Sequence, residues 1–176
     1  MASMRAAVPL FADVRVRFTF PRALVLATAW RPDMVISEHA DFLGPLLAGI
    51  LGAQPVTLGF SPGHPADWLD LAADAVARHY SDNGLLPPPR GGLYQGVYLD
   101  SCPPSLQAPQ FPPPARSCPI RPEAYRAPGT SNWTAPDFGE RADKPLVLLT
   151  TGTIFGNARS SRPPSQRFAP RTSTSS

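Results

Sequence analysis

The 24 prolines of this 176-residue chain constrain its fold more than any other feature. Ordinary proteins carry about 5% proline. Each proline fixes its own φ and removes a backbone donor, so prolines at this density cannot fill sheet interiors or helix middles. They crowd into residues 87–136, whereas the long apolar stretches fall before Gly84 or in the short block at residues 145–155. One compact region and one extended region are expected, and the 43% hydrophobic content is enough for a core only where it is concentrated.

Charge, cysteine and hydropathy narrow the function classes. The formal charge is +3, but Arg159, Arg162, Arg167 and Arg171 lie in the last nineteen residues with no acid among them, and the rest of the chain is near neutral. A body without a basic face does not predict a nucleic-acid partner. Cys102 and Cys118 match no metal-ligand spacing, and a reduced pair in a cytoplasmic protein is the expectation. Pro9 and Asp13 interrupt the short apolar run behind Arg5 before a signal-peptide core could form. Residues 42–63 are uncharged for 22 positions, long enough for a membrane span, yet they hold five glycines and three prolines. They read instead as helix, turn and strand, so no membrane span is predicted.

Along the chain, Pro21 marks a helix start and residues 23–30 are good helix formers. Residues 33–36 read as a short buried strand. From Asp41 the apolar positions Phe42, Leu43, Leu46, Leu47, Ile50 and Leu51 paint one helix face, with Gly52 as a stop. Residues 56–60 suit a second buried strand, which completes a βαβ unit and assigns the chain to the α/β class with a parallel sheet. Residues 67–80 read as an amphipathic helix that ends at Asn83 and Gly84. Residues 87–136 read as connecting chain broken by one short strand at residues 96–99. Residues 146–150 are apolar throughout, as in strands covered on both faces. After Asn157 the composition is that of a disordered tail.

Open α/β sheets bind ligands beyond the carboxyl ends of their strands. Three places qualify: Ser37, Glu38 and His39; the loop from Ser61 to His64; and the turn Thr151, Gly152, Thr153. Glu38 sits where a carboxylate can be partly desolvated and aimed at a histidine base, or can serve as an ordinary acid at a helix start. His39 and His64 read as loop histidines with solvent-facing rings, and His79 as structural. The Thr151–Gly152–Thr153 turn offers hydroxyls and backbone donors to a phosphate or ribose, although a structural turn has the same pattern.

Three blocks together resemble the family 1 glycosyltransferases of the GT-B type, in particular the actinobacterial macrolide and antibiotic glycosyltransferases. One runs from Trp30-Arg31-Pro32-Asp33-Met34-Val35-Ile36-Ser37-Glu38 to Phe42-Leu43-Gly44-Pro45-Leu46. A second covers Gly92-Leu93-Tyr94 and Leu99-Asp100-Ser101-Cys102-Pro103-Pro104-Ser105-Leu106-Gln107. The third covers Lys144-Pro145-Leu146-Val147-Leu148-Leu149-Thr150-Thr151-Gly152-Thr153-Ile154-Phe155. The resemblance implies a partial Rossmann-like acceptor domain at residues 1–86, a proline-rich linker at 87–143, the first strand and turn of a donor domain at 144–157, and a tail at 158–176.

The resemblance also implies a nucleotide-diphosphate-sugar donor, a small-molecule or lipid acceptor and no resident cofactor or metal. Glu38 takes the position of the carboxylate that pairs with a histidine base, and Thr151, Gly152 and Thr153 the position of donor contacts. The base loop and the remaining donor site have no counterpart in this sequence, which implies a fragment, inactive alone; after Asn157 the resemblance gives way to Arg/Ser/Pro-rich chain of the kind that either a true end of the likeness or a shifted reading frame produces. The contrasting reading is a non-enzymatic interaction protein in which Pro87-Pro88-Pro89-Arg90 and Pro112-Pro113-Pro114 act as polyproline II ligands.

Overall fold

The computed structural model describes residues 7–144, less residues 113, 124, 126, 130–136, 138 and 140–143. The chain divides into two compact units, Met1–Tyr125 and Arg126–Ser176, and every element below belongs to the first. Four strands form one parallel sheet in sequential order: β1 (Met34–Glu38), β2 (Gln54–Leu58), β3 (Val97–Asp100) and β4 (Ser117–Pro119). Helix α1 (Arg15–Trp30) precedes β1, α2 (Leu43–Leu51) joins β1 to β2, and α3 (Ala66–Ser81) leads from β2 towards β3. The α/β class with a partial Rossmann-like parallel sheet is the observed architecture.

Helix α1 does not begin at Pro21. It runs through it, behind a π turn at Leu10–Val14. The helix starts upstream because Val8, Ala12 and Val16, spaced four apart, are buried in the core and hold the first turns in place. Tertiary packing here outweighs a proline that costs the helix one hydrogen bond. The helix closes at Arg31 in the left-handed region, its N–H donating to the Ala27 carbonyl at 2.8 Å, and Pro32 prevents continuation.

Helix α2 starts and stops as its sequence dictates. Asp41 Oδ1 accepts the Leu43 N–H at 3.2 Å, and Gly52 takes the left-handed conformation that ends the helix. The helix lies close on β1 because Gly44 has no side chain; a Cβ there would meet Ser37. Its Leu46 joins Phe42 and, from α3, Trp68, Leu69, Ala72, Val76 and Tyr80 in one core with Leu93, Tyr94 and Tyr98.

Two sequence expectations change. The strand at residues 33–36 is not buried as expected: Met34 is 51% and Ile36 60% exposed, on a sheet face that no described helix covers at that point, and β1 is an edge strand among the described residues. The connecting chain expected after residue 87 contains the short strand expected at 96–99, which is β3, and a further strand that was not expected, β4, which pairs with it. Its prolines sit in turns, at Pro89–Gly92 and Pro104–Leu106, and at the end of β4, where no interior donor is lost. The strand expected at residues 146–150 and the tail lie outside the described residues. Among the described residues no helix is long and apolar enough to cross a membrane.

Candidate functional site

All four strands point their carboxyl ends to one edge, which brings Glu38, the loop after Leu58 and Asp100 to the same end of the sheet. Glu38 closes β1. Its Oε2 accepts the Ala40 N–H at 3.0 Å, which folds the carboxylate over the turn into α2. Burial raises its pKa above the ordinary carboxylate value; the Ala40 N–H opposes this, the negative charge of Asp41 adds to it, and Arg15 offsets it. Arg15 stands 3.7 Å from Asp41.

His39 does not face solvent, and His64 is only partly exposed. His39 is 1% exposed, with Nε2 3.1 Å from Ser61 Oγ and its ring centroid 4.6 Å from those of both Phe60 and His64. His64 stacks on Trp68 at 3.9 Å, and Trp68 leads on to Phe42 at 5.9 Å. The β2–α3 loop therefore turns inward and continues the core as a row of rings. Burial lowers the pKa of His39, with Asp100 opposing, and burial together with His39 lowers that of His64 to about 4. Burial thus favours the neutral form of both imidazoles.

Three residues that sequence reasoning did not single out organise the site. Asp100 accepts the Cys102 N–H at 2.9 Å and Gln107 Nε2 at 3.2 Å, while Gln107 Oε1 accepts the Gly63 N–H at 2.6 Å. The end of β3 is thus tied to the loop that carries His64. The third is Tyr94, whose N–H donates to buried Thr57 Oγ1 at 3.2 Å. Tyr94 has a φ of 64°, a conformation that costs a bulky residue about 1–3 kcal/mol. Burial pushes its hydroxyl up to about 12; the nearby His64 backbone and Arg90 act the other way, and Asp100 and Glu38 reinforce the rise. The only sequence signal for these residues was their presence in the second resemblance block, whose chemistry no spacing rule predicts.

His79 lies elsewhere, its Nε2 2.9 Å from Asp13 Oδ1, and serves to join α3 to the π turn. Thr151, Gly152 and Thr153 lie outside the described residues. Pro89 and Arg90 are built into a turn, with the Arg90 guanidinium donating to the Pro112 carbonyl at 3.4 Å.

The parallel sheet and its helices have counterparts among known proteins. No family model matches the chain. In sequence it is 26% identical over 153 residues to the elloramycin glycosyltransferase ElmGT of Streptomyces olivaceus, covering 87% of this chain and 37% of that protein. In structure it resembles the glycosyltransferase SnogD of Streptomyces nogalater, with a TM-score of 0.58 and 27% identity over 78% of this chain and 37% of the other. It also resembles the spinosyn rhamnosyltransferase SpnG, with a TM-score of 0.55 and 28% identity over 72% and 33%. SpnG has been solved with thymidine diphosphate and with spinosyn aglycone. By sequence and by fold, the chain resembles a part of the GT-B antibiotic glycosyltransferases. It spans about a third of the length of the relatives it matches.

Proposed function

We propose that this chain is the acceptor side of a glycosyltransferase that moves a sugar from a nucleotide diphosphate to an acceptor hydroxyl. The observation that carries the reading is Glu38: a half-buried carboxylate with a raised pKa, at the carboxyl end of a parallel strand, in a fold shared with SnogD and SpnG. A carboxylate so placed orients a histidine and stabilises the imidazolium formed when that histidine takes a proton from the acceptor. The acceptor oxygen then attacks the anomeric carbon with inversion, and the nucleoside diphosphate leaves.

His39 and His64 are poor candidates for the base, because their depressed pKa values make them reluctant to take a proton. In this reading the base and most of the donor contacts come from segments beyond those described. Thr151, Gly152 and Thr153 would contribute hydroxyls and backbone donors to the nucleotide. The reaction calls for no resident cofactor, since the nucleotide sugar is a substrate, and a cytoplasmic setting is part of the same reading. The chain alone binds acceptor and does not turn over, because positioning and charge stabilisation supply most of the rate in such transfers.

Histidine-resolved NMR tests this. The chain holds three histidines, so each imidazole can be followed separately. Adding spinosyn aglycone, or another antibiotic aglycone, should shift the His39 and His64 resonances and leave His79 unmoved, while a TDP-sugar added with it yields no glycoside. An aglycone series that leaves both site histidines unmoved refutes the acceptor-side reading.

A further inference from the structure

Helix α1 is apolar on both of its sides. The inner side packs: Val16 is fully buried and Phe20 lies against the core, with Ala23, Leu24 and Ala27 partly buried further along. Phe18, Val25, Leu26 and Trp30 point the other way and are between 62% and 82% exposed. Steps of seven, eight and four residues set them along one outward face, and Arg22, one turn after Phe18, falls in the same stripe. A surface helix of a globular protein ordinarily turns a polar face to water. A continuous exposed stripe of large apolar side chains instead marks a docking surface.

The charge on this face selects its occupant. Helix α1 has no acid among its 16 residues, and Arg17, Arg22 and, at its cap, Arg31 are all exposed. Among the described residues no carboxylate pairs with these three, whereas Arg15 reaches Asp41 and Arg78 reaches Asp82. The flanking acids Asp13 and Asp33 lie beyond the two ends of the helix, and Asp13 is held by His79 at 2.9 Å. The Arg17 guanidinium sits 5.0 Å from the centre of the Phe18 ring, so cation and aromatic face are presented together. A second copy laid on the same stripe would crowd like charges with no acid to answer them. A nucleic acid would meet the arginines and leave the aliphatic side chains in water. A lipid surface with anionic headgroups satisfies both halves of the pattern.

We propose that the outward face of α1 docks on an anionic lipid surface, with Phe18, Val25, Leu26 and Trp30 entering the boundary between headgroups and acyl chains and Arg17, Arg22 and Arg31 meeting lipid phosphates. The helix is about 24 Å long and lies in the interface, since no described helix is long and apolar enough to cross a membrane. None of these residues belongs to the carboxyl end of the sheet, so the proposal stands apart from the acceptor-side reading.

The test is flotation of the full chain with vesicles of phosphatidylcholine alone and of phosphatidylcholine and phosphatidylglycerol in equal parts; aggregated protein stays at the bottom of such a gradient. The wild type should float with the anionic vesicles only, and high salt should release most of it. Arg17→Gln and Arg22→Gln should each weaken binding about fivefold, and Phe18→Ser about tenfold. Arg17→Lys and Arg22→Lys should keep it within about twofold, because the charge is retained. All of these side chains face outward, so thermal melts without lipid should match the wild type and confirm that each variant folds. Absence of flotation with anionic vesicles, equal flotation with neutral ones, or binding that survives both glutamine substitutions and Phe18→Ser overturns the proposal. A wild type that fails to float but forms a dimer split by Phe18→Ser also overturns it, and assigns the face to a second copy.

Discussion

The two sides of this sheet differ in how complete they are. Around β2 and β3, apolar side chains from α2 and α3 close a core in which Phe42, Leu46, Leu69, Ala72, Val76 and Tyr98 are fully buried or nearly so. At β1 the opposite holds: Met34 and Ile36 look outward, and so do Val25, Leu26 and Trp30 on the second half of α1, Trp30 at 82% exposed. Helix α1 itself spans the contrast, since Val16 in its first turn is buried. The lesson is that the αβ layer over β2 and β3 is finished by this chain, whereas the β1 side carries apolar surface of the kind that exposed sheet edges present to another strand.

The sharpest way to break the comparison is Leu69→Ala. It should lower stability by about 3 kcal/mol, read as a shifted denaturation midpoint at unchanged slope. A loss below about 1 kcal/mol would mean that the core is as unfinished as the edge. Next in size is pH. His64 and His39 have folded pKa values below the ordinary 6.5, so both states are neutral above that value and the unfolded chain takes protons first as pH falls. Stability should therefore drop between pH 6.5 and about 4, by about 1 kcal/mol for His64, a figure reduced because its ring is not fully enclosed. His64→Phe should flatten that part of a thermal-melt pH profile.

Glu38→Gln should raise stability at pH 7 by about 0.5 kcal/mol, since it removes a carboxylate whose folded pKa is raised by burial. The gain should fade on acidification, as Glu38 itself becomes protonated. Smallest is Ile36→Lys on the open edge, within about 0.5 kcal/mol in a melt. Its effect should appear in light scattering instead, as less self-association than the wild type. A wild-type chain that is already a monomer with a sharp reversible melt would contradict the contrast drawn here.

Much of this architecture was legible in residue spacing. The four-residue repeat from Phe42 to Ile50 and the Gly52 stop place α2, and the two flanking apolar runs place β1 and β2. Glu38 was legible as a carboxylate at a strand end, because the apolar run before it marks where β1 stops. What escaped had physical reasons. Pro21 masked the start of α1, although Val8, Ala12 and Val16 already carried the helical period. Strand β4 is three residues long and wholly exposed, so it has no hydrophobic pattern to detect. His39 and His64 are short of neighbours in sequence, and only the inward turn of the β2–α3 loop buries them. The strain at Tyr94 depends on a backbone angle that no side-chain pattern encodes.

Gln107 shows how narrow a tolerance such a site can have. Its amide meets a carboxylate on one side, which can only accept, and the Gly63 N–H on the other, which can only donate. An amide is the one side chain of this length that presents opposite polarities at its two tips. Glutamate in its place would set two like charges side by side, and leucine would leave both neighbours unanswered. The Gly63 turn is therefore addressed by chemistry as well as by shape, and a single-atom change from nitrogen to oxygen would be enough to detach it from the end of β3.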